Sequence, residues 1–538
     1  MKRYIKMILP AAALALTLGM TSCTGDLDVT PIDPNLDLSF TPEGLYNKCF
    51  GNLATAGNTG GDGEVDIDGL DGGTTGFVRQ MWNSNELPTD EAICHWGDAG
   101  IKEFCYATWD PSHPMLNGYF NRIVTGISYC NQYLEVAADH DAQMTAEIRW
   151  LRAFEYYLLM DAFGNIPFSD KVGALEYKTR QEAYDWLEGE LLEIESQLAP
   201  AQAKKSSDAN YGRPDQAADW MLLARLYLNA EVYTGTPQWA KAAEYAKKVI
   251  DSPYKLNTTG SSLGYSAYQM LFMGDNGETN AAYEAIFPIL QDGKKTTSWG
   301  CSMYLMGSTF DDNMIEGLGG ETAPNGTDQK WGGNRTRPDL IAKFFPKGNA
   351  PQGLNSHEMA EEANDDRALF NSQGRSLNSE NGYDEDFTHG YACAKFTNFY
   401  SDGSQGHDGT FPDMDFFMMR LAEAYLTYAE ATARQGGGST TSEGTQYINE
   451  LRSRAHASTQ PGYSLDDILD EWSREFYFEG RRRVDLNRFG KFTGTSYMWQ
   501  WKGGAYSGRN IDSYRSIYPL PNTAITGPIV QNPGYPTK

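Results

Sequence analysis

The stretch from Arg213 to Pro253 constrains the fold more tightly than any other part of the chain. Trp220, Leu223, Ala224 and Tyr227 stand at the spacing W-x-x-L-[GA]-x-x-Y, which sets a small residue among large ones on a helix. The small residue at 224 lets a second helix come close, and the aromatic rings fill the gap beside it. That second helix is expected to open with Thr236 as N-cap and Pro237 at the first helical position, where a missing N–H costs nothing. Tyr245 then precedes Pro253 at the spacing that closes such a unit. The stretch reads as one unit of a repeat, or as an ordinary helical hairpin. A single unit cannot bury its own face, so others should exist.

Met418, Leu421, Ala422 and Tyr425 repeat the spacing of Trp220, Leu223, Ala224 and Tyr227, the pattern of a tetratricopeptide-type repeat. Gly436-Gly437-Gly438 then breaks the chain, and Gly444 to Ala455 supplies the second helix of that pair. Helix is expected over Met414 to Arg434 and over Leu465 to Phe489, with a further start at Thr41-Pro42-Glu43. Ala142 to Phe163 is apolar on both faces and reads as a helix buried between neighbours. Gly164 caps it, and Arg180 to Leu198 is its expected partner. Between Lys255 and about Phe411 the pattern changes to Gly, Asn, Asp and aromatics, with short alternating runs such as Ala285 to Leu290 that suit strands. Loops this long usually carry function. The fold class expected is mainly α: a tetratricopeptide-like scaffold of helical pairs presenting a loop-rich binding region.

Composition narrows the function classes. The chain has 538 residues, 40% hydrophobic and 13% aromatic, with a formal net charge of -27. Phosphate binding needs clustered Lys and Arg, so nucleic acid is not an expected partner. The seven cysteines include no C-x-x-C pair, which leaves zinc ribbons and thioredoxin-type sites without support. Asp66, Asp68 and Gly69 touch a calcium-loop pattern, but no Glu follows at the required spacing, and the loop reads as solvated. Gly260-Ser261-Ser262-Leu263-Gly264 matches G-x-S-x-G but lacks the strand-turn-helix context a nucleophile elbow needs. Glu475 and Glu479, on one expected helix, would point the same way and could not flank a glycosidic bond. They read as members of salt bridges along that helix.

Lys2, Arg3 and Lys6 precede an apolar run from Ile8 to Leu18 that ends at Cys23, resembling a bacterial lipoprotein signal with Cys23 as the lipidated residue. The expected organisation is a signal peptide over 1–22 and a single domain over 23–538. Within it, helical scaffold occupies about 40–256 and 412–490, a loop-rich insertion about 257–411, and an irregular tail 491–538. No other stretch offers the ~20 apolar residues of a membrane helix. Asp26-Leu27-Asp28 is similar to sequences that send Bacteroidetes lipoproteins to the cell surface.

Five stretches together resemble the RagB/SusD family: Cys23 to Asp28 running into Pro31-Ile32-Asp33-Pro34; Asn85 to Glu91; Arg152-Ala153 through Phe163-Gly164 and Pro167-Phe168; Glu471 to Phe489; and Tyr518 to Pro521 with Gln531 to Tyr535. The resemblance implies a helical scaffold with four tetratricopeptide-like pairs and a non-enzymatic role. It implies a lipid-anchored outer-membrane protein that captures starch or another α-glucan and passes it to a TonB-dependent transporter of the SusC type. It carries Trp96, Trp299, Trp331, Arg79 and Asp98 over as glycan-binding residues, with tryptophan at 299 where the pattern has tyrosine and Asp98-Ala99 where it has asparagine. The chemistry fits, because sugar rings stack their C–H faces on flat aromatic faces while hydroxyls need fixed polar partners. No cofactor is expected to be required; Asp275 and its neighbours are candidates for a structural calcium. The alternatives are the same fold reading another glycan, an exported glycoside hydrolase, and a scaffold that assembles proteins.

Overall fold

Both helix pairs set by the repeat spacing form, and they stack on each other. In the computed structural model, which describes residues 41–57, 60, 61, 65–67, 72–314, 316–318 and 324–537, helix Gln216–Leu228 pairs with Trp239–Ile250 and helix Leu421–Gln435 with Ser442–Arg454. The tyrosine of each first helix meets a tyrosine of the second in nearly the same way. The Tyr227 and Tyr245 rings lie 5.5 Å apart at 42°, and Tyr425 and Tyr447 4.8 Å apart at 43°. Ala224 and Ala422 are fully buried beneath them. Helix Trp239–Ile250 also packs along Leu421–Gln435, so the two units share one core although most of the chain between them folds elsewhere. Arg225 and Glu423 join the first helices by two hydrogen bonds of 2.6 Å each.

Tyr46–Lys538 make one compact unit. Of the other, Met1–Leu45, residues 41–45 are described and are helical from Pro42. The leader, Cys23 and the arm up to residue 40 lie outside the described residues, as do Asp68 and Gly69. Helix Ala142–Phe163 has the expected bounds, with Asp141 as N-cap and Gly164 at φ +71 closing it. Helices Pro114–Val136 and Arg180–Ile194 cover it on two sides, which is why both its faces are apolar. The first of these escaped the sequence reading. Strand Ala285–Ile289 forms where the alternating run lies and pairs antiparallel with Phe416–Arg420. Residues 416–420 are therefore strand rather than the start of a helix. The six cysteines among the described residues are all buried and unpaired.

Three further expectations are corrected. Helix Trp239–Ile250 starts after Gln238, not Thr236. Ala230–Thr234 adds a helical turn closed by Gly235 at φ +75, and the Thr236 N–H is held by Thr234 Oγ1 at 3.1 Å, so Thr236-Pro237 belong to the turn. The helix expected over Leu465 to Phe489 breaks into Leu465–Phe476 and Arg482–Arg488. Phe478, at φ +63, turns inward against Trp82, whose Nε1 donates to its carbonyl at 2.9 Å, and Glu86 accepts from the N–H groups of Gly480 and Arg481. Tertiary partners thus replace helical ones. Glu475 and Glu479 consequently find distant partners instead of neighbours along one helix. Glu475 pairs with Arg420 at 2.7 Å, Arg367 at 3.2 Å and Arg454, and Glu479 pairs with Lys395 at 2.7 Å and Arg420 at 2.8 Å, all in the buried interior.

A small antiparallel sheet, in the order Ala92–Cys94, Asn334–Thr336, Ala392–Cys393, Phe370–Asn371, ties the loop-rich region to the helices.

Candidate functional site

Strand register brings two of the named tryptophans together. Cys94 pairs with Asn334, so the chain leaving the first strand and the chain entering the second run side by side. Trp96 lies on one and Trp331 on the other, their ring centroids 6.4 Å apart and tilted by 52°. The Trp96 indole N–H donates to the Gly332 carbonyl. Gly333 makes the contact feasible, because a Cβ there would fall 2.3 Å from the Trp96 ring. Trp331 is fixed by its own indole N–H, which donates to Gln329 Oε1 at 2.8 Å.

Trp299 arrives from a different segment. Gly76, just before helix Phe77–Glu86, packs directly on Gly300, and a Cβ on either would lie within 2.7 Å of the other's Cα. The Arg79 N–H then donates to the Gly300 carbonyl at 2.9 Å. This seats the loop so that the Trp299 ring lies 5.9 Å from Trp331 at 57°. Phe411 continues the line, 4.6 Å from Trp299 at 48°. The four rings are half-buried, and successive rings are tilted to one another by 52°, 57° and 48°.

Arg79 lies under one end. Its guanidinium is 5.7 Å from the Trp96 ring and 5.2 Å from the buried Tyr304 ring, and it donates to Asp98 at 2.7 Å. Its Nε is buried without a hydrogen-bond partner, although buried polar groups are ordinarily satisfied. Asp98 itself is exposed. Tyr304 is locked by donating to Asn83 at 2.6 Å and accepting from Asn334 at 2.9 Å, and burial drives its phenol well above the usual range. The fold therefore brings Trp96, Trp299, Trp331, Arg79 and Asp98 into one cluster. Sequence reasoning missed Phe411 and Tyr304. Phe411 sits in a Gly- and Asp-rich loop like the others, and that was the signal available.

Several other candidates are used structurally. Asp66 accepts from Arg122 at 2.8 and 3.0 Å, and that partner draws its carboxyl below the usual range against burial. Asp275 accepts from the Ser401 N–H and hydroxyl. Ser261 lies in a turn, its Oγ accepting from the Tyr265 N–H at 3.1 Å. Asp292, His407 and Asp413 present one ligand atom each within 4.8 Å, but Asp413 already accepts from His407 Nδ1 at 2.8 Å and from the Gly293 N–H at 2.9 Å.

Residues 272–535 match the SusD family. The chain is 39% identical to the starch-binding protein SusD of Bacteroides thetaiotaomicron, over 99% of both chains. It is 24% identical to SusD-like protein P2 of Formosa agariphila over 82% of this chain and 85% of the relative. Among solved structures it resembles a laminarin-binding SusD-like protein, with a TM-score of 0.64 at 20% identity, covering 92% of this chain and 99% of that one. It also resembles surface glycan-binding protein A of B. thetaiotaomicron in complex with laminarihexaose, with a TM-score of 0.62 at 20% identity, covering 91% and 98%.

Proposed function

This chain belongs to the SusD family, and from that membership we propose that it is a non-catalytic glycan-binding protein whose ligand is starch or a related α-glucan. The observation that carries the reading is the row of half-buried, mutually tilted rings, Trp96, Trp331, Trp299 and Phe411, with the Arg79–Asp98 pair at one end. A helical α-glucan presents successive sugar faces along a curve, so several rings engage at once; a straight β-glucan chain meets fewer of them. The strong net negative charge is no obstacle to a neutral ligand. The carboxylates that a hydrolase reading would nominate first, Glu475 and Glu479, are enclosed in ion pairs and out of reach of a polysaccharide. No cofactor is required for stacking and hydrogen bonding; a calcium at Asp275 would serve structure.

Cys23 would carry the lipid that holds the protein at the outer membrane, and the bound glycan would pass to a SusC-like TonB-dependent transporter. Anchoring restricts the protein to a surface and raises its effective concentration near such a partner. Among the described residues no helix is long and apolar enough to cross a membrane. Purified protein titrated with amylose, a cyclic α-glucan, laminarin and soluble cellulose fragments tests the reading. Binding of the first two without release of reducing sugar is expected. Steady hydrolysis, or preference for laminarin, would overturn it.

A further inference from the structure

We propose that the glycan contact surface continues beyond Trp96 onto a second aromatic cluster, Tyr383, Trp501 and Tyr506, which holds the part of a long glucan chain that the tryptophan line leaves uncovered. The proposal rests on the glycan reading above. The two clusters are joined directly, because the Tyr383 hydroxyl donates to the Trp96 carbonyl. Tyr383 is held in turn by Tyr106, whose hydroxyl accepts from the Tyr383 N–H at 2.9 Å. The Trp501 ring stacks on Tyr106 with centroids 5.7 Å apart at 24°, and Tyr506 stands edge-on to Trp501 at 6.0 Å.

These rings are not core. Trp499, two residues before Trp501, is 2% exposed and packs against Phe492 and Tyr497. By contrast Tyr383 and Trp501 are half-buried and Tyr506 is 47% exposed. Trp501 also holds φ +66, a region costly for a side chain with a Cβ. Its indole N–H, donating to the Ser379 carbonyl at 2.6 Å, fixes the ring in that pose. The chain thus carries backbone strain at a bulky apolar residue it does not bury. Lys102 and Asp384, 3.5 Å apart and both exposed, flank Tyr383, with the Lys102 ammonium 5.2 Å from its ring. Flat apolar faces bordered by donors and acceptors are what a sugar chain requires, and continuity with the Trp96 end makes the same chain the occupant.

Titration with malto-oligosaccharides of increasing length tests this, using wild type, Tyr506→Ala and Tyr506→Phe. Tyr506 makes no contact with the tryptophan line, and the phenylalanine variant keeps the stacking face. Wild-type affinity should go on rising from maltotriose to long maltodextrin. Tyr506→Ala should bind maltotriose like wild type and long maltodextrin several-fold more weakly, with Tyr506→Phe restoring the long-chain affinity. Equal long-chain affinity in Tyr506→Ala and wild type would overturn the extension while leaving the tryptophan site standing. A wild type that binds no α-glucan of any length would instead remove the reading on which the extension rests.

Discussion

Arg79 is the residue whose chemistry is most exposed to test. Its guanidinium lies beside the Trp96 ring and pairs with Asp98, which is largely solvated, so removal of the guanidinium strands little charge. A hydrogen bond from a charged donor is worth about 1.5–3 kcal/mol, so Arg79→Ala should weaken oligosaccharide binding by roughly tenfold or more while Tm stays close to wild type. Asp219 makes a second prediction. Neither of its oxygens has a hydrogen-bond partner, and burial, helped by the Glu195 carboxylate, pushes its carboxyl well above the usual range. The unfolded chain ionises near the ordinary carboxylate pKa while the folded one keeps its proton. Stability from this group is therefore complete at low pH and lost as pH rises. Asp219→Asn should raise Tm at neutral pH, and the gain should shrink toward pH 4. At this scale Trp96, Trp299 and Trp331 were legible through the family resemblance, which carried them over as glycan-binding residues, and not through periodicity, since all three lie in loops. Phe411 offered only its Gly- and Asp-rich loop and Tyr304 offered nothing, because which loops meet depends on the Cys94–Asn334 register and the Gly76–Gly300 contact, both tertiary.

The elements repeat that division. Helices Gln216–Leu228 and Leu421–Gln435 were legible because the tyrosine and alanine of each stand at fixed spacing on one face. The break after Phe476 was not, since it arises from donors and acceptors on Trp82 and Glu86, far away in sequence. Charge pattern suggested pairing along a helix, and Glu471 with Arg474 and Asp485 with Arg481 and Arg488 do pair that way, but the fold uses Glu475 to gather the distant Arg367, Arg420 and Arg454. Those arginines, Arg454 foremost, hold the Glu475 carboxyl at about 2 despite burial. Its pKa is thus depressed in the fold, so the stabilisation is present above the ordinary glutamate pKa and is lost as pH falls toward 2. Glu475→Gln leaves buried guanidinium groups short of a counter-charge, which costs about 3–5 kcal/mol. A loss of unfolding free energy of that order is expected from denaturant titration, together with a flatter acid-denaturation curve.

For the whole molecule, stacked helical pairs carry a loop-built surface, and the proposed activity needs both a ligand site and a partner that moves the ligand. Native purification in mild detergent should bring down a large β-barrel with the protein expressed in its native membrane; isolation of the protein alone under several gentle conditions would remove the stable-complex version of that proposal. The surface itself is tested most directly by calorimetric titration of a cyclic α-glucan into wild type and Trp96→Ala/Trp299→Ala. Losing one stacking ring at an aromatic platform costs about 1–3 kcal/mol by analogy with nucleic-acid stacking. The double variant should therefore show almost no binding while its circular dichroism and Tm match wild type. A folded double variant that binds with the wild-type Kd would contradict the aromatic line as the glycan site.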